Sequence, residues 1–119
     1  MAKHEIAMVT LRSTDFPRTR RFYTELFEWK CHEHTATFMS FQPPAGIGGG
    51  FQKVNSFEQG TSYLLYIEVD SFESYLERLS GLGGRSEGVI ETVPGRSQYI
   101  RIYDPDGNRL ALWRRLTVD

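Results

Sequence analysis

Residues 5–29, EIAMVTLRSTDFPRTRRFYTELFEW, decide the fold, because their apolar period changes once. From Glu5 through Ile6, Ala7, Met8, Val9 and Thr10 to Leu11 the run is mostly apolar and includes β-branched residues, which predicts a strand. Thr14 and Asp15 then offer helix N-caps, and Pro17 suits a first helical turn. Phe16, Thr19, Phe22, Tyr23, Leu26 and Phe27 recur at helical spacing. Strand followed directly by amphipathic helix is therefore the opening unit. Downstream, 29–34 and 36–42 read as strands. Pro43 to Gly46 form a turn, and Gly48-Gly49-Gly50-Phe51 open a fourth strand.

The same order returns in the second half. A polar stretch at 55–61, NSFEQGT, reads as the joint. Tyr63 to Val69 is the next strand. Phe72, Tyr75, Leu76 and Leu79 form one helical stripe, which the glycines at 81, 83 and 84 end. Strands follow at 85–93 and 97–103, with Pro94-Gly95 turning between them. Asp104-Pro105-Asp106-Gly107-Asn108 is turn chemistry before a last strand, Arg109 to Arg115. An offset of 56 places Met8 on Leu64, Leu11 on Ile67, Phe16 on Phe72 and Leu26 on Leu82. The expected class is α+β, with two βαβββ modules in tandem at about 4–54 and about 62–115 of one domain, 1–119. Each sheet has one face covered by its own helix and needs a second sheet or a ligand on the other. The expectation is a curved mixed sheet, or half-barrel, around a cavity.

The bulk numbers narrow the function. With 119 residues, 39% hydrophobic and 24% charged, the chain is long enough for one packed domain. A formal net charge of −1 and dispersed arginines favour neither nucleic acid nor an acidic membrane surface. No apolar run approaches the roughly 20 residues of a membrane helix, and the first residues have no signal-peptide design. One cysteine, Cys31, allows no disulfide within the chain and suits a reducing cytoplasm.

Several motifs together resemble one family. Asp15-Phe16-Pro17, Arg21-Phe22-Tyr23 and Leu26-Phe27-Glu28-Trp29 are similar to the opening of vicinal-oxygen-chelate proteins, the glyoxalase, bleomycin-resistance and extradiol-dioxygenase group. Gly48 to Phe51, Tyr66 to Asp70, Leu82-Gly83-Gly84, and Asp104 to Asn108 followed by Leu110 to Trp113 resemble its later elements in order and spacing. The resemblance implies one metal ligand on each of four strands. Carried over by position, these fall at Met8, within Gly48 to Phe51, at Leu64 and at Ala111. None of those side chains is an imidazole or carboxylate donor. The resemblance therefore implies a member with no metal and no cofactor.

Strand alternation gives the expected lining of a small-molecule pocket. Ala7, Val9 and Leu11 suit the helix side, leaving Ile6, Met8, Thr10 and Arg12 inward. Leu64, Tyr66 and Glu68 share that inward face, as do Tyr99, Arg101 and Tyr103, and Arg109, Ala111 and Trp113. The expected ligand-binding set is Met8, Thr10, Leu64, Tyr66, Glu68, Tyr99, Arg101, Ala111 and Trp113: apolar walls with a few orienting polar groups. Arg101 is able to grip a carboxylate or phosphate, or simply to pair with Glu68 or face solvent. Tyr66 and Trp113 are able to stack on a ring, or to pack on each other or on a partner subunit. His32 and His34 share a strand face; with Cys31 or Glu33 they could hold a metal, but those two side chains point to the other face, so the pair reads as exposed. His4 reads as solvated, and Cys31 as a buried, inert thiol. The glycine run is followed by no Lys-Ser/Thr, so it is no phosphate loop.

The expected function is metal-free binding of a small molecule by a cytoplasmic homodimer, with no nucleic-acid or membrane partner. One alternative is a glyoxalase-like lyase, isomerase or dioxygenase, using a divalent metal or catalysing with Glu68, Tyr66 or Arg101. Another is a ligand-free structural or regulatory module whose cavity is filled by Met8, Leu64, Tyr66 and Trp113.

Overall fold

A computed structural model describes residues 3–4, 6–56 and 64–116. The chain divides into two compact units, Met1–Phe57 and Glu58–Asp119. Glu5 and Tyr63, both assigned to strands from sequence, and most of the 55–61 joint lie outside the described residues.

The first unit runs β1 (Val9–Ser13), α1 (Phe16–Phe27), β2 (Lys30–Glu33), β3 (Phe38–Gln42) and β4 (Gly49–Lys53). Its strands form one open, mixed sheet in the order β1-β4-β3-β2, with β1 parallel to β4. Asp15 caps α1: its side chain accepts the Arg18 backbone N–H at 3.1 Å, and Pro17 sits in the first turn. Glu28 ends the helix in the left-handed region, at φ 61°, and its N–H returns to the Thr24 carbonyl. The helix buries Phe16, Thr19, Phe22, Tyr23, Leu26 and Phe27. On the sheet, Leu11, Met39, Phe41 and Phe51 are buried as well. The Tyr23 and Phe51 rings lie 5.0 Å apart, and Trp29 stacks between Tyr23 (4.6 Å) and Phe41 (4.4 Å). Full burial of one such ring contributes about 1.5–3 kcal/mol.

The second unit repeats the plan: β5 (Leu65–Glu68), α2 (Glu73–Leu79), a 3-10 turn (Ser80–Leu82), β6 (Arg85–Val93), β7 (Ser97–Tyr103) and β8 (Arg109–Arg115). Its sheet order, β5-β8-β7-β6, is the same permutation, again with the first strand parallel to the last. Val69, Phe72, Leu79, Leu82, Ile100, Ile102, Leu110, Ala111 and Leu112 are its buried apolar residues. Gly83, at φ 89°, takes the left-handed cap where a Cβ would be strained. The turn after β7 is tied by Asp104, whose Oδ1 accepts the N–H groups of Asp106 (2.9 Å) and Asn108 (2.8 Å). Asp104 Oδ2 accepts from Asn108 Nδ2 at 2.7 Å.

The expected α+β class and the tandem βαβββ order hold. Several boundaries move. The first strand begins at Val9 rather than Glu5, because its ladder partner β4 starts at Gly49, opposite Val9, and the chain before Gly49 is the 43–46 turn. Ile6, Ala7 and Met8 therefore lie outside the ladder and are exposed, so Ala7 does not join the helix side. Trp29 belongs to the core packing at the end of α1 rather than to β2.

Candidate functional site

In each sheet the residues that alternate with the core make an open face. In the second unit the register sets them in rows. Glu68 pairs with Trp113, Trp113 with Tyr99, and Tyr99 with Glu91, giving one row across four strands. The neighbouring row is Tyr66, Ala111 and Arg101. A third holds Arg109, Tyr103 and Arg85. Tyr66 is 53% exposed and meets Tyr99 edge to face at 5.4 Å. Between these aromatics Ala111 is fully buried, although it lies on the open side.

Arg101 is the central polar group of this face. Its guanidinium lies 5.7 Å from the Tyr99 ring centroid, and its Nη1 is 3.8 Å from Glu91. Its Nε is buried and has no hydrogen-bond partner. A buried, unmade donor costs about 1–3 kcal/mol. The ion partner expected from sequence, Glu68, is displaced by Glu91. Glu68 is on β5, separated from β7 by β8, whereas Glu91 is on the adjacent strand β6. Trp113 likewise does not pair with Tyr66; the Arg115 guanidinium lies 5.1 Å from its ring. Along the third row, the Tyr103 hydroxyl donates to the Glu87 carboxylate, which holds its pKa above the ordinary phenol value.

Of the residues singled out from sequence, Tyr66, Glu68, Tyr99, Arg101, Ala111 and Trp113 share this one face. Leu64 immediately precedes β5 and is half-buried. Met8 and Thr10 belong to the first unit. Thr10 pairs with Gly50 on that unit's open face; Met8 stands before β1, 48% exposed.

The first unit's open face decides whether the family's metal fits. Gly50 is the residue of the Gly48–Phe51 segment that shares this face with Thr10. A Cβ on Gly50 would run into the Phe38 ring, and would lie 3.3 Å from the Met39 carbonyl. At Gly49 it would strike the Val9 carbonyl, and at Gly48 it would come within 2.8 Å of the Phe41 carbonyl. The segment thus carries no donor, and an aromatic ring occupies the space of a Gly50 side chain. Met8, Leu64 and Ala111 offer a thioether, a hydrocarbon and a methyl group. This set does not fit a divalent ion bound by imidazole or carboxylate. Among the described residues no three His, Cys, Asp or Glu side chains gather elsewhere.

Phe38 and Glu91 were not singled out from sequence. Phe38 covers Gly50 only through the β3–β4 register, Phe38 to Gln52 and Ser40 to Gly50. Glu91 becomes a partner only through the β6–β7 register. An open groove of about 550 Å³ on the first unit is lined by Arg20, Thr24, Glu28, Trp29, Lys30 and Cys31. Burial pushes the Cys31 thiol up, outweighing the Thr24 hydrogen bond and the Arg20 charge, so it is a poor nucleophile.

Comparison with known proteins agrees with this architecture. The family model described as the Glyoxalase/Bleomycin resistance protein/Dioxygenase superfamily matches residues 5–112. The fosfomycin resistance protein FosX of Listeria monocytogenes superposes with a TM-score of 0.78 at 21% identity, over 95% of this chain and 94% of that one. Its complex with Mn(II) and sulfate gives 0.77 at 21% identity, over 94% and 90%. A glyoxalase-related enzyme of Fulvimarina pelagi gives 0.74 at 21% identity, over 93% and 88%. At such identities the likeness is one of fold. Comparison with the curated proteins gives no match.

Proposed function

The chain belongs to the glyoxalase/bleomycin resistance protein/dioxygenase superfamily, and from that premise we propose that it binds a small organic molecule without a metal ion. The observation that carries this reading is the face that Tyr66, Tyr99 and Trp113 share with Arg101, with Tyr99 beside the guanidinium and the Arg101 Nε–H buried and unpartnered. Aromatic walls supply apolar and stacking contact, and the guanidinium orients an acceptor group. The metal-free half of the reading is supported by the donor chemistry of Met8, Leu64, Ala111 and Gly50, and by the Phe38 ring over Gly50.

No chemical step is assigned to Glu68, Tyr66 or Arg101. Against the ligand-free alternative stand the exposures of Tyr66 (53%) and Met8 (48%), large side chains that their own units leave open to solvent. A cytoplasmic homodimer is part of the proposal. Its support is the exposed apolar set on edge strand β6, Val89, Ile90 and Val93, a surface that pairing would cover. No helix of the described residues is long and apolar enough to cross a membrane.

Ligand screening by thermal shift tests the reading. A true ligand raises the melting temperature in EDTA as well as without it. The shift is lost in Arg101→Ala and in Trp113→Ala. A ligand that binds only with added metal, or that binds both variants unchanged, overturns it.

A further inference from the structure

On the open face of the first sheet, two imidazoles stand side by side outside the site described above. His32 is the third residue of β2, and His34 follows its end on the same face. Their ring centroids are 4.6 Å apart, at 72° to each other, and both residues are exposed. Neighbouring imidazoles on one strand face are a chelating pair for a transition-metal ion, with water completing the shell.

A second observation gives one ring a polar neighbour. His34 Nε2 and the Ser40 hydroxyl share a hydrogen bond at 2.8 Å, and the same hydroxyl lies 3.4 Å from the His32 carbonyl. The contact engages Nε2 and leaves Nδ1 of His34 for a bound ion. A polar neighbour that fixes the tautomer of a ligating histidine is the usual outer-shell arrangement at metal centres. The Phe38 ring, 6.0 Å from His34, flanks the same imidazole. The His32 ring makes no hydrogen bond among the described residues, so both rings have a nitrogen to offer.

From this geometry we infer that His32 and His34 form a surface site for one imidazole-seeking divalent ion: Cu(II), Ni(II) or Zn(II). Hard ions that want oxygen, Mn(II) and Ca(II), are not bound there. The site is separate from the positions carried over from the family and does not depend on the ligand-binding reading. Among the ions it takes, the order follows the Irving–Williams series, with Cu(II) strongest.

The test is isothermal titration of the untagged, full-length chain in a His4→Ala background, which removes the third histidine. The probes are copper, nickel, zinc and manganese chlorides. The expected result is one copper, nickel or zinc ion per chain and no manganese. Affinity falls at least about 10-fold in His32→Asn and in His34→Asn, and about 10-fold in Ser40→Ala, which leaves both rings in place. Added Cu(II) broadens the amide resonances of residues 31–41 in that chain and not in the His32→Asn/His34→Asn variant. All of these side chains are at least partly exposed, so the variants keep the fold, and an unchanged melting curve checks it. The inference is overturned if copper and zinc bind the double variant as tightly as the parent. It is also overturned if neither binds the parent, or if manganese matches copper.

Discussion

Adding a single methyl group at Gly50 tests the account of the family's second ligand position. In the wild-type chain the Cβ of Gly50→Ala meets the far edge of the Phe38 ring. Overpacking of this kind costs about 1–3 kcal/mol. Phe38 is only half-buried and is able to swing away, which holds the cost to about 1–2 kcal/mol. Against this, replacing a strand glycine whose backbone suits an L-residue returns about 0.5–1 kcal/mol. The net effect is a loss of roughly 0.5–1 kcal/mol in wild type. In a Phe38→Ala background the ring is gone and only the Met39 carbonyl stays close, at 3.3 Å, so the same substitution is neutral or stabilises by up to about 0.5 kcal/mol. The loss disappears, and the coupling in the double-mutant cycle is about 0.5–1.5 kcal/mol. Urea unfolding of the four proteins, followed by circular dichroism, measures it. If Gly50→Ala stabilises both backgrounds equally, Phe38 does not fill that space.

Other consequences follow from individual groups. Replacing Asp104 by Ala removes the acceptor for three donors around a buried turn, and lowers stability by about 2–4 kcal/mol in the same urea experiment. The raised pKa of Cys31 keeps the thiol protonated at neutral pH. Its reaction with a disulfide reagent at pH 7 is therefore slower than that of an unfolded peptide thiol, and approaches it only as the pH rises into the alkaline range. Stability linked to that neutral thiol is present below the unfolded thiol's pKa and is lost as pH rises through the folded one. For any ligand found by screening, Arg101→Ala weakens binding about 10- to 100-fold, the weight of a hydrogen bond to a charged group, while leaving the melting temperature of the free protein nearly unchanged.

Much of this fold was legible in the sequence because its signals are local. The Asp15 cap, Pro17 and the spacing of Phe16 to Phe27 define α1 without reference to anything distant. The boundaries 85–93, 97–103 and 109–115 follow from alternation between strong turns. The start of β1 was not legible, because it depends on where β4 begins, a partner about forty residues away. The same cause separates the parts of the open faces that could be read from those that could not. Alternation along one strand places Tyr66, Tyr99, Arg101 and Trp113 on a common side. Which residue neighbours which is a matter of strand order and register. That is why Glu91, rather than Glu68, reaches Arg101, and why the role of Phe38 over Gly50 has no signal in its own neighbourhood. The pairing of His32 with His34 was readable from the i, i+2 spacing. The Ser40 hydroxyl that orients His34 was not, since it comes from the adjacent strand.

The most direct test of the central claim is the metal content of the purified, untagged chain after dialysis into metal-free buffer without chelator. The account predicts less than about 0.1 transition-metal ion per chain, because an ion held by two imidazoles and water is released under those conditions. A near-stoichiometric manganese, iron, nickel or zinc content that persists in the His32→Asn/His34→Asn variant would contradict it, and would place a metal centre in this protein after all.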